Sequence, residues 1–512
     1  MTTAITSAED TAGIDPAIFH RRYAILATMC LSLVLIVATV SSVNVALPKL
    51  AQSSLNPTDT QILWIVDAYA LVFAAFLLPA GALGDKFGRK GALLVGLTIF
   101  AFFSALCSQM TDANALIACR AAMGIGAALI MPSTLSLLQS AFPSAERPKA
   151  IAIWSGFAGA GGAIGPLIGG FLLEHFWYGS VFFVAAPLAF IAFVASAVLA
   201  PKSKEESATS LDPVGAALSI VGFAALLMAI IEGPTRGWAD GLVVIGFLLA
   251  AIGLVGFVMW ERRTAHPMLD MHYFRTPRFA MGSLGITFTF MSMFSMFFVL
   301  TQYLQYVKGY GSLASGVRGL PFAAAMIIVS PRAPSIAARL GIRRAVGAGM
   351  SLLVVGIVML SFAGINTPYA YVALCLVIVA TGVGFAMPSL SSGIVQSVPI
   401  DKAGVGSAVN DTTREVGGAI GIAIVGSIVT SIYRDHLAPA LKLLPPQLAD
   451  IAGDNVGTAT AVAAQLGDQA RPFADAVKQS FVDGSHVALR VAAALTAVAA
   501  VIVVSRLDEN DR

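Results

Sequence analysis

Two charged residues interrupt apolar stretches early in the sequence, and both are candidates for proton chemistry. Asp67 stands six residues into one apolar stretch and Arg120 six residues into another. If these stretches are membrane helices, both residues lie about 9 Å deep, since a helix rises about 1.5 Å per residue. An ionisable residue at the centre of a membrane helix costs roughly 2.5–3.5 kcal/mol, so such residues are usually functional. Either the two form a structural salt bridge, or Asp67 takes up protons while Arg120 adjusts its proton affinity.

A second group of charges occurs in the segment Asn410-Asp411-Thr-Thr-Arg414-Glu415. On a helix, Asp411 and Glu415 share one face, with Arg414 beside them. Counted from residue 405, Glu415 lies about 15 Å deep, near the middle of a bilayer, and Asp411 is shallower. We predict that Glu415 is the most buried carboxylate and handles protons or a cation. The alternative is a structural partner of Arg414, and for Asp411 both roles stay open.

Other common chemistries find no support in the sequence. The six histidines lie in loops or at helix ends, so we expect no histidine proton relay. The four cysteines all fall within apolar stretches, which argues against a metal site and a disulfide framework. Neither the phosphate-binding pattern GxxxxGK[S/T] nor the metalloprotease pattern HExxH occurs. We therefore expect no enzyme activity, no metal and no cofactor, and we assign any proton coupling to carboxylates.

The composition indicates that these charges are surrounded by lipid. Of the 512 residues, 57% are hydrophobic and only 12% are charged, against roughly 25% charged in soluble domains. The net charge is +3 and no run of five basic residues occurs, so we expect no nucleic-acid partner. The predicted fold class is an all-α polytopic membrane protein, because helices satisfy their own backbone groups in lipid.

Apolar runs long enough to cross a bilayer predict fourteen helices in groups of six, two and six. They define a polar N-terminal tail over residues 1–22, an N-terminal bundle over 23–200, a two-helix insertion over 213–260 and a C-terminal bundle over 279–506. The tail lacks the pattern of a signal peptide, so we expect the first helix to be retained. The predicted helices are 23–47, 61–82, 91–109, 114–138, 149–173, 179–200, 213–231, 241–260, 279–302, 314–331, 343–362, 368–389, 405–433 and 486–506.

The distribution of basic residues predicts the orientation of these helices. Lys and Arg concentrate in the loops on one side, which places that side and both termini in the cytoplasm. The five tryptophans, Trp154 among them, lie at predicted helix ends, as expected of anchors at a membrane surface.

The loop after the second helix carries a dense motif, Gly81-Ala-Leu-Gly-Asp85-Lys-Phe-Gly88-Arg89-Lys90. Its glycines allow two helices to meet closely. Asp85 can stabilise the N-terminus of a neighbouring helix or pair with Arg89, forming a latch that breaks when the bundles move. Simple anchoring on the basic side is the alternative, but it does not explain the acid. A similar pattern at 334–344, in the second group of six, indicates an internal repeat.

The fifth helix is unusually rich in small residues. Gly161, Gly165, Pro166, Gly169 and Gly170 would give it a thin, kinkable surface on which other helices pack closely. Close packing is therefore expected whether or not this helix has a further function.

Taken in order, these motifs resemble those of the fourteen-span drug:proton antiporters of the major facilitator superfamily. Segments 44–48, 63–69, 120–126 and 267–270 extend the resemblance over nearly the whole chain. The resemblance implies a major facilitator fold with alternating access, and it makes the fifth-helix pattern the antiporter motif of exporters. It also implies export of amphipathic, in part cationic, drugs, dyes or antiseptics from the bacterial inner membrane, driven by the proton gradient. We expect a monomer among membrane lipids.

The sequence departs from that family at one position. The family pattern has an acid five residues before Asn44, where this chain has Thr39. The family also has an acid at the position of Glu415, which this chain keeps. Two other functions compete with this one: an exporter of one dedicated metabolite, lipid or siderophore with the same fold, which stays open, and a membrane-embedded enzyme or receptor, for which no catalytic motif is found.

The longest predicted connection covers residues 435–485 on the outer side. Phe473, Val477 and Phe481 recur at helical spacing, with polar residues opposite them. We predict a helical hairpin over the outer mouth, the alternative being a disordered loop.

Overall fold

The computed structural model describes residues 14–51, 53, 55, 57–202, 212–467 and 471–507. All regular structure in this part of the chain is helical, and fourteen helices are long and apolar enough to cross a membrane. They confirm the predicted fold class. In chain order they are α1 Arg22–Ala51, α2 Asp59–Phe87, α3 Arg89–Cys107, α4 Ala113–Ala141, α5 Arg147–His175, α6 Ser180–Leu199, α7 Pro213–Arg236, α8 Gly241–Glu261, α9 Pro277–Val307, α10 Ser312–Leu340, α11 Ile342–Leu360, α12 Tyr369–Gln396, α13 Ala403–Leu441 and α14 Arg471–Arg506.

Local signals in the sequence fix many of the helix ends. The side chains of Asp112, Asp212 and Asp240 accept hydrogen bonds from the first backbone amides of α4, α7 and α8. Gly88 and Gly341 separate α2 from α3 and α10 from α11, with φ of 105° and 89°. L-residues rarely adopt such angles, so both turns require glycine. The two turns occupy equivalent places in the two groups of six helices.

Helices α1–α6 and α9–α14 each enclose a core of their own. We call the end that carries the α2–α3 and α10–α11 turns the basic side, since Lys86, Arg89 and Arg343 lie there. The bundles meet along two seams: α2 packs against α13 in the first seam, and α5 packs against α10 in the second. Between the seams, α4 contacts α13 and α5 contacts α12.

The inserted pair, α7 and α8, lies outside the two bundles. The two helices pack tightly on each other, because a Cβ on Gly253 would lie 2.8 Å from the Cα of Gly222. The far face of α8 is exposed at Leu248, Ile252 and Val255. Helix α7 also packs against both α2 and α13, so the insertion covers the first seam.

The structure changes the predicted connection over 435–485. Helix α13 continues to Leu441 and α14 begins at Arg471, so the connection is shorter and holds two short helices, Pro446–Asp454 and Val456–Leu466. The apolar stripe at Phe473 and Phe481 is helical and buried, as expected, but it belongs to α14 and not to a separate hairpin. Gly484 lies within α14, where its lack of a side chain lets the helix approach the backbone of Val429 closely.

Candidate functional site

Asp85 connects the two bundles on the basic side. Its two carboxylate oxygens accept hydrogen bonds from the amides of Gly404 and Val405, at 2.8 and 3.0 Å, at the start of α13. Arg89 donates to the same carboxylate at 3.0 Å and also bonds to the carbonyl oxygen of Ile400. A carboxylate at a helix N-terminus is stabilised by free amides and by the helix dipole. The sequence offered a helix N-terminus and Arg89 as alternative partners of Asp85, and both contacts are present. We call Asp85, Arg89, Ile400, Gly404 and Val405 the latch.

The backbones of α2 and α13 touch beside the latch. A Cβ on Gly81 would lie 2.6 Å from the carbonyl oxygen of Gly404 and 2.8 Å from the Cβ of Ala408. Any larger residue at position 81 would therefore push the two bundles apart on the basic side. A Cβ on Gly91, in the first turn of α3, would meet nothing within 4 Å.

One row of small residues on α5 faces α1 of the same bundle. Gly161, Gly165 and Gly169 recur every four residues on this face, and a Cβ on Gly165 would lie 2.5 Å from the carbonyl oxygen of Ala38. Gly162, one position away from Gly161, faces open space, with nothing within 4 Å of its ideal Cβ. The glycines of this row therefore allow backbone contact within one bundle.

A second row on α5 faces α10 of the other bundle. A Cβ on Gly170 would lie 2.8 Å from the Cα of Leu313. A Cβ on Gly316 would meet the backbone of Leu167 at 2.9 Å and of Pro166 at 3.0 Å. The predicted fifth-helix motif thus serves two interfaces, one inside the N-terminal bundle and one at the second seam.

Arg120 is fully buried on α4 and packs against α2. Its Nε donates to the carbonyl oxygen of Ile65 at 2.9 Å, and its guanidinium carbon lies 4.4 Å from the centre of the Tyr69 ring. Both terminal nitrogens lack a hydrogen-bond partner. Arg120 and Asp67, which both belong to the described part of the chain, form no ion pair. The structural salt bridge is therefore absent, and Asp67 is partly exposed. Arg120 and Glu232 of α7 are both within electrostatic reach of Asp67.

The charges of α13 are arranged differently from the expectation. Asp411 is completely buried and accepts a hydrogen bond from Asn410 at 2.9 Å, whereas Glu415 is partly exposed. The prediction that Glu415 is the most buried carboxylate was wrong, because burial depends on which neighbouring helices cover each level of the helix and not on the depth alone. Arg414 is buried, and its Nη1 lies 3.9 Å from Oδ1 of Asp411. This is an ion pair too long to be a hydrogen bond.

Helical spacing places the coupling candidates on the facing surfaces of the first seam. Gly404, Ala408, Asp411 and Glu415 are spaced by four, three and four residues, which is one face of α13. Asp67 lies close to four turns from Gly81 on α2, about 21 Å away, and Glu415 about three turns from Gly404, about 17 Å away. Since Gly81 touches Gly404, Asp67 and Glu415 lie within about 5 Å of each other in height.

Two aromatic residues of the site were not recognised from the sequence. The guanidinium carbon of Arg414 lies 4.7 Å from the Trp154 ring and 5.1 Å from the Phe290 ring. Trp154 is completely buried and donates to Thr134 at 3.1 Å, so its predicted role as a surface anchor was wrong. Trp154 lies five residues from the start of the predicted helix 149–173, a distance typical of an anchor, and only the tertiary packing distinguishes the two roles.

Thr39 occupies the position where the family pattern has an acid. Its hydroxyl donates to the carbonyl oxygen of Leu35 at 2.7 Å, and the side chain is buried. The hydroxyl is thus satisfied by its own helix, and Thr39 supplies no charge to the site.

Two six-helix bundles, joined by a latch and by two seams with buried charges, define a membrane transporter of the alternating-access class. The chain belongs to the Major Facilitator Superfamily, whose family model matches residues 29–422.

Curated relatives are similar over most of their length. The chain is 34% identical to the multidrug efflux pump LfrA of Mycolicibacterium smegmatis, over 94% of this chain and 96% of that protein. It is 33% identical to the multidrug resistance protein Stp of Mycobacterium tuberculosis, over 89% and 86%. It is 30% identical to the methyl viologen resistance protein SmvA of Salmonella typhimurium, over 90% and 92%.

Two solved structures have the same fold. The human organic anion transporter MFSD10 matches with a TM-score of 0.61 at 14% identity, over 94% of this chain and 99% of that one. A bacterial homologue of the human lysosomal transporter Spinster matches with a TM-score of 0.60 at 16% identity, over 96% and 98%.

Proposed function

We propose that the protein exports small amphipathic compounds, cations among them, in exchange for protons across the bacterial inner membrane. The observation that carries this proposal is the position of Asp67 and Glu415 on the facing surfaces of the first seam. Neither carboxylate has a partner that explains its presence, since Arg120 forms no salt bridge with Asp67 and Arg414 is paired with Asp411. The names of the relatives support export of drugs and of a dication such as methyl viologen.

Alternating access follows from the two seams. In our proposal the basic side is cytoplasmic, and the closed latch represents a state in which access from the cytoplasm is blocked. Protons bind the seam carboxylates from outside and substrate is released there; opening of the latch then exposes the same carboxylates to the cytoplasm. The protein needs no cofactor and works as a monomer in contact with membrane lipids.

Arg120 has a supporting part in this proposal. Its buried positive charge lies within reach of Asp67 without neutralising it directly. In our proposal this charge acts on Asp67 at the step in which the basic side opens and the carboxylate releases its proton. Glu415, on the opposite side of the seam, is partly exposed like Asp67.

Dye export from cells tests this function. Cells that express the protein should extrude a cationic dye such as ethidium, and a protonophore should abolish this extrusion. Asp67→Asn and Glu415→Gln should each remove the protonophore-sensitive part, while the exposed Asp475→Asn on α14 serves as the matched control and should behave like the wild type.

Two outcomes would contradict the proposal in different ways. If both variants export dye at the wild-type rate, the assignment of proton coupling to these carboxylates is wrong. If the wild type extrudes no cationic dye but does extrude a single cellular metabolite, the proposed substrate class is wrong. The protein is then a dedicated exporter of that metabolite.

A further inference from the structure

Arg414 is a buried cation whose hydrogen-bonding capacity is unused. The side chain is 1% exposed, and Nε, Nη1 and Nη2 all lack a hydrogen-bond partner. A guanidinium has five N–H donors, and burying it without partners carries a large desolvation penalty. A conformation in which water reaches the guanidinium is therefore stabilised relative to one in which the group stays buried without hydrogen bonds.

Two kinds of contact compensate this charge in the closed latch state. The first is the ion pair with Asp411 at 3.9 Å. The second is the pair of rings, Trp154 from α5 of the N-terminal bundle and Phe290 from α9 of the C-terminal bundle. A desolvated cation over an aromatic face is attracted by the ring quadrupole. Asp411 and Glu415 are the charged groups within electrostatic reach of Arg414 in the described part of the chain.

The contact between Arg414 and Trp154 crosses from one bundle to the other. Trp154 lies seven residues, or about 11 Å, from the start of α5, and Arg414 eleven residues, or about 17 Å, from the start of α13. Both helices start on the basic side, so the contact lies on the inner half of the interface. Separating the bundles there removes the Trp154 ring from the guanidinium and admits water to its N–H groups.

We propose that Arg414 converts the protonation of Asp411 into opening of the basic side. While Asp411 is ionised, the pair is nearly neutral and can stay buried under Trp154. When Asp411 is protonated, the guanidinium loses its ion-pair partner and keeps only the two rings and the more distant Glu415, so the closed state is destabilised relative to an open state in which water reaches Arg414. The inference rests on the proposed function, because this is the direction an antiporter needs: the proton-loaded form turns toward the cytoplasm.

Distances between spin labels at Phe87 and Leu340 provide the test. Both positions are exposed on the basic side, one in each bundle, and the four buried native cysteines are replaced by alanine. The purified protein in lipid nanodiscs, without any substrate, is measured over a pH series. We expect the open population to rise as the pH falls, and Asp411→Asn to raise it at least about a hundredfold at high pH.

A double-mutant cycle identifies the role of Arg414. In an Arg414→Gln background, Asp411→Asn should leave the open population unchanged, and the pH response should be lost. Arg414→Lys keeps the positive charge and should retain the pH response. Arg318→Gln is the matched control: Arg318 lies 3.6 Å from the Tyr310 ring within one bundle, and the pH response should remain.

The proposal is overturned if Asp411→Asn opens the basic side equally in the Arg414→Gln background. If Arg414→Gln fails to fold, Trp154→Leu replaces it, since this variant removes the ring and leaves the ion pair. It should raise the open population at every pH, and an unchanged population would overturn the proposal as well. The distance measurement does not depend on transport. The proposal about Arg414 can therefore be supported or overturned even if the protein exports no dye.

Discussion

Asp85 holds three different groups of the basic side with one carboxylate. It binds the amides of the second and third residues of α13 and the guanidinium of Arg89, while Arg89 binds the carbonyl oxygen of Ile400, just before α13. Hydrogen bonds to charged groups contribute roughly 1.5–3 kcal/mol each. The latch therefore supplies a substantial part of the free energy that keeps the basic side closed.

We predict that the single substitution Asp85→Asn opens the basic side. The amide loses the ion pair with Arg89 and can accept only one strong hydrogen bond, so the closed state should lose about 2–3 kcal/mol. Distances between labels at Phe87 and Leu340 measure the shift. Asp240→Asn, which alters a cap at the opposite end of the molecule, should leave the distances unchanged.

The sequence identified the latch but misplaced the burial of the α13 charges. The latch residues are local in sequence, so their spacing alone indicates two close helices and an acid between them. Asp411, Glu415 and Trp154 differ, because their burial depends on which neighbouring helix covers each face of α13 and α5. Periodicity in one helix carries no information about that neighbour.

Two nearby glycines of α5, one packed against α1 and one facing open space, lead to different predictions. Gly165→Ala should destabilise the protein, because its Cβ would lie 2.5 Å from a carbonyl oxygen of α1, and overpacking typically costs about 1–3 kcal/mol. Gly162→Ala has open space and should be silent or slightly stabilising. Thermal denaturation in detergent measures both, and equal melting temperatures would contradict the observed packing.

A glycine at the first seam should act on gating rather than on stability. Gly81→Ala places a methyl group against Gly404 and Ala408 of the other bundle, so the protein can relieve the clash by separating the bundles on the basic side. We expect an increased open population with little change in melting temperature, and reduced dye efflux. Gly91→Ala, whose Cβ meets nothing within 4 Å, is the control and should match the wild type in all three measurements.

Helix ends were predictable where a cap or a glycine turn marks them, and unpredictable where a helix simply continues. Asp112, Asp212 and Gly88 fix their ends in the structure near the predicted positions. Helix α14 begins fifteen residues before its predicted start at 486, at Arg471. Polar residues in this region suggested a loop, but a helix that extends beyond the bilayer can carry polar residues at no cost.

At the scale of the whole molecule, the short helices between α13 and α14 should affect release of substrate on the outer side. Tyr433 of α13 donates to the carbonyl oxygen of Ala452, and Val456–Leu466 packs against α14 and the Tyr303–Val307 turn. The segment therefore moves with the C-terminal bundle. Replacing residues 446–466 by a flexible linker should leave the protein inserted and change the range of dyes exported. An unchanged range of exported dyes would contradict this prediction and would show that the segment only connects α13 to α14.

The number of spans and the internal repeat were predictable because lipid demands long apolar helices and the two equivalent turns demand glycine. The arrangement of the bundles was implied by the family resemblance and not by any pattern within a single helix. The site between the bundles depends on that arrangement, which explains why the partners of its carboxylates could not be predicted from the sequence.

The inserted pair gives the molecule two unlike sides within the plane of the membrane. Helix α7 bridges α2 and α13, whereas no inserted helix pair lies along the α5–α10 seam in the described part of the chain. In the orientation we propose, a compound dissolved in the inner leaflet would meet an uncovered seam between the bundles only on the α5–α10 side of the described part of the chain. Lipophilic substrates would thus be collected from the bilayer itself, and their concentration in that leaflet, more than in water, would set the rate of uptake.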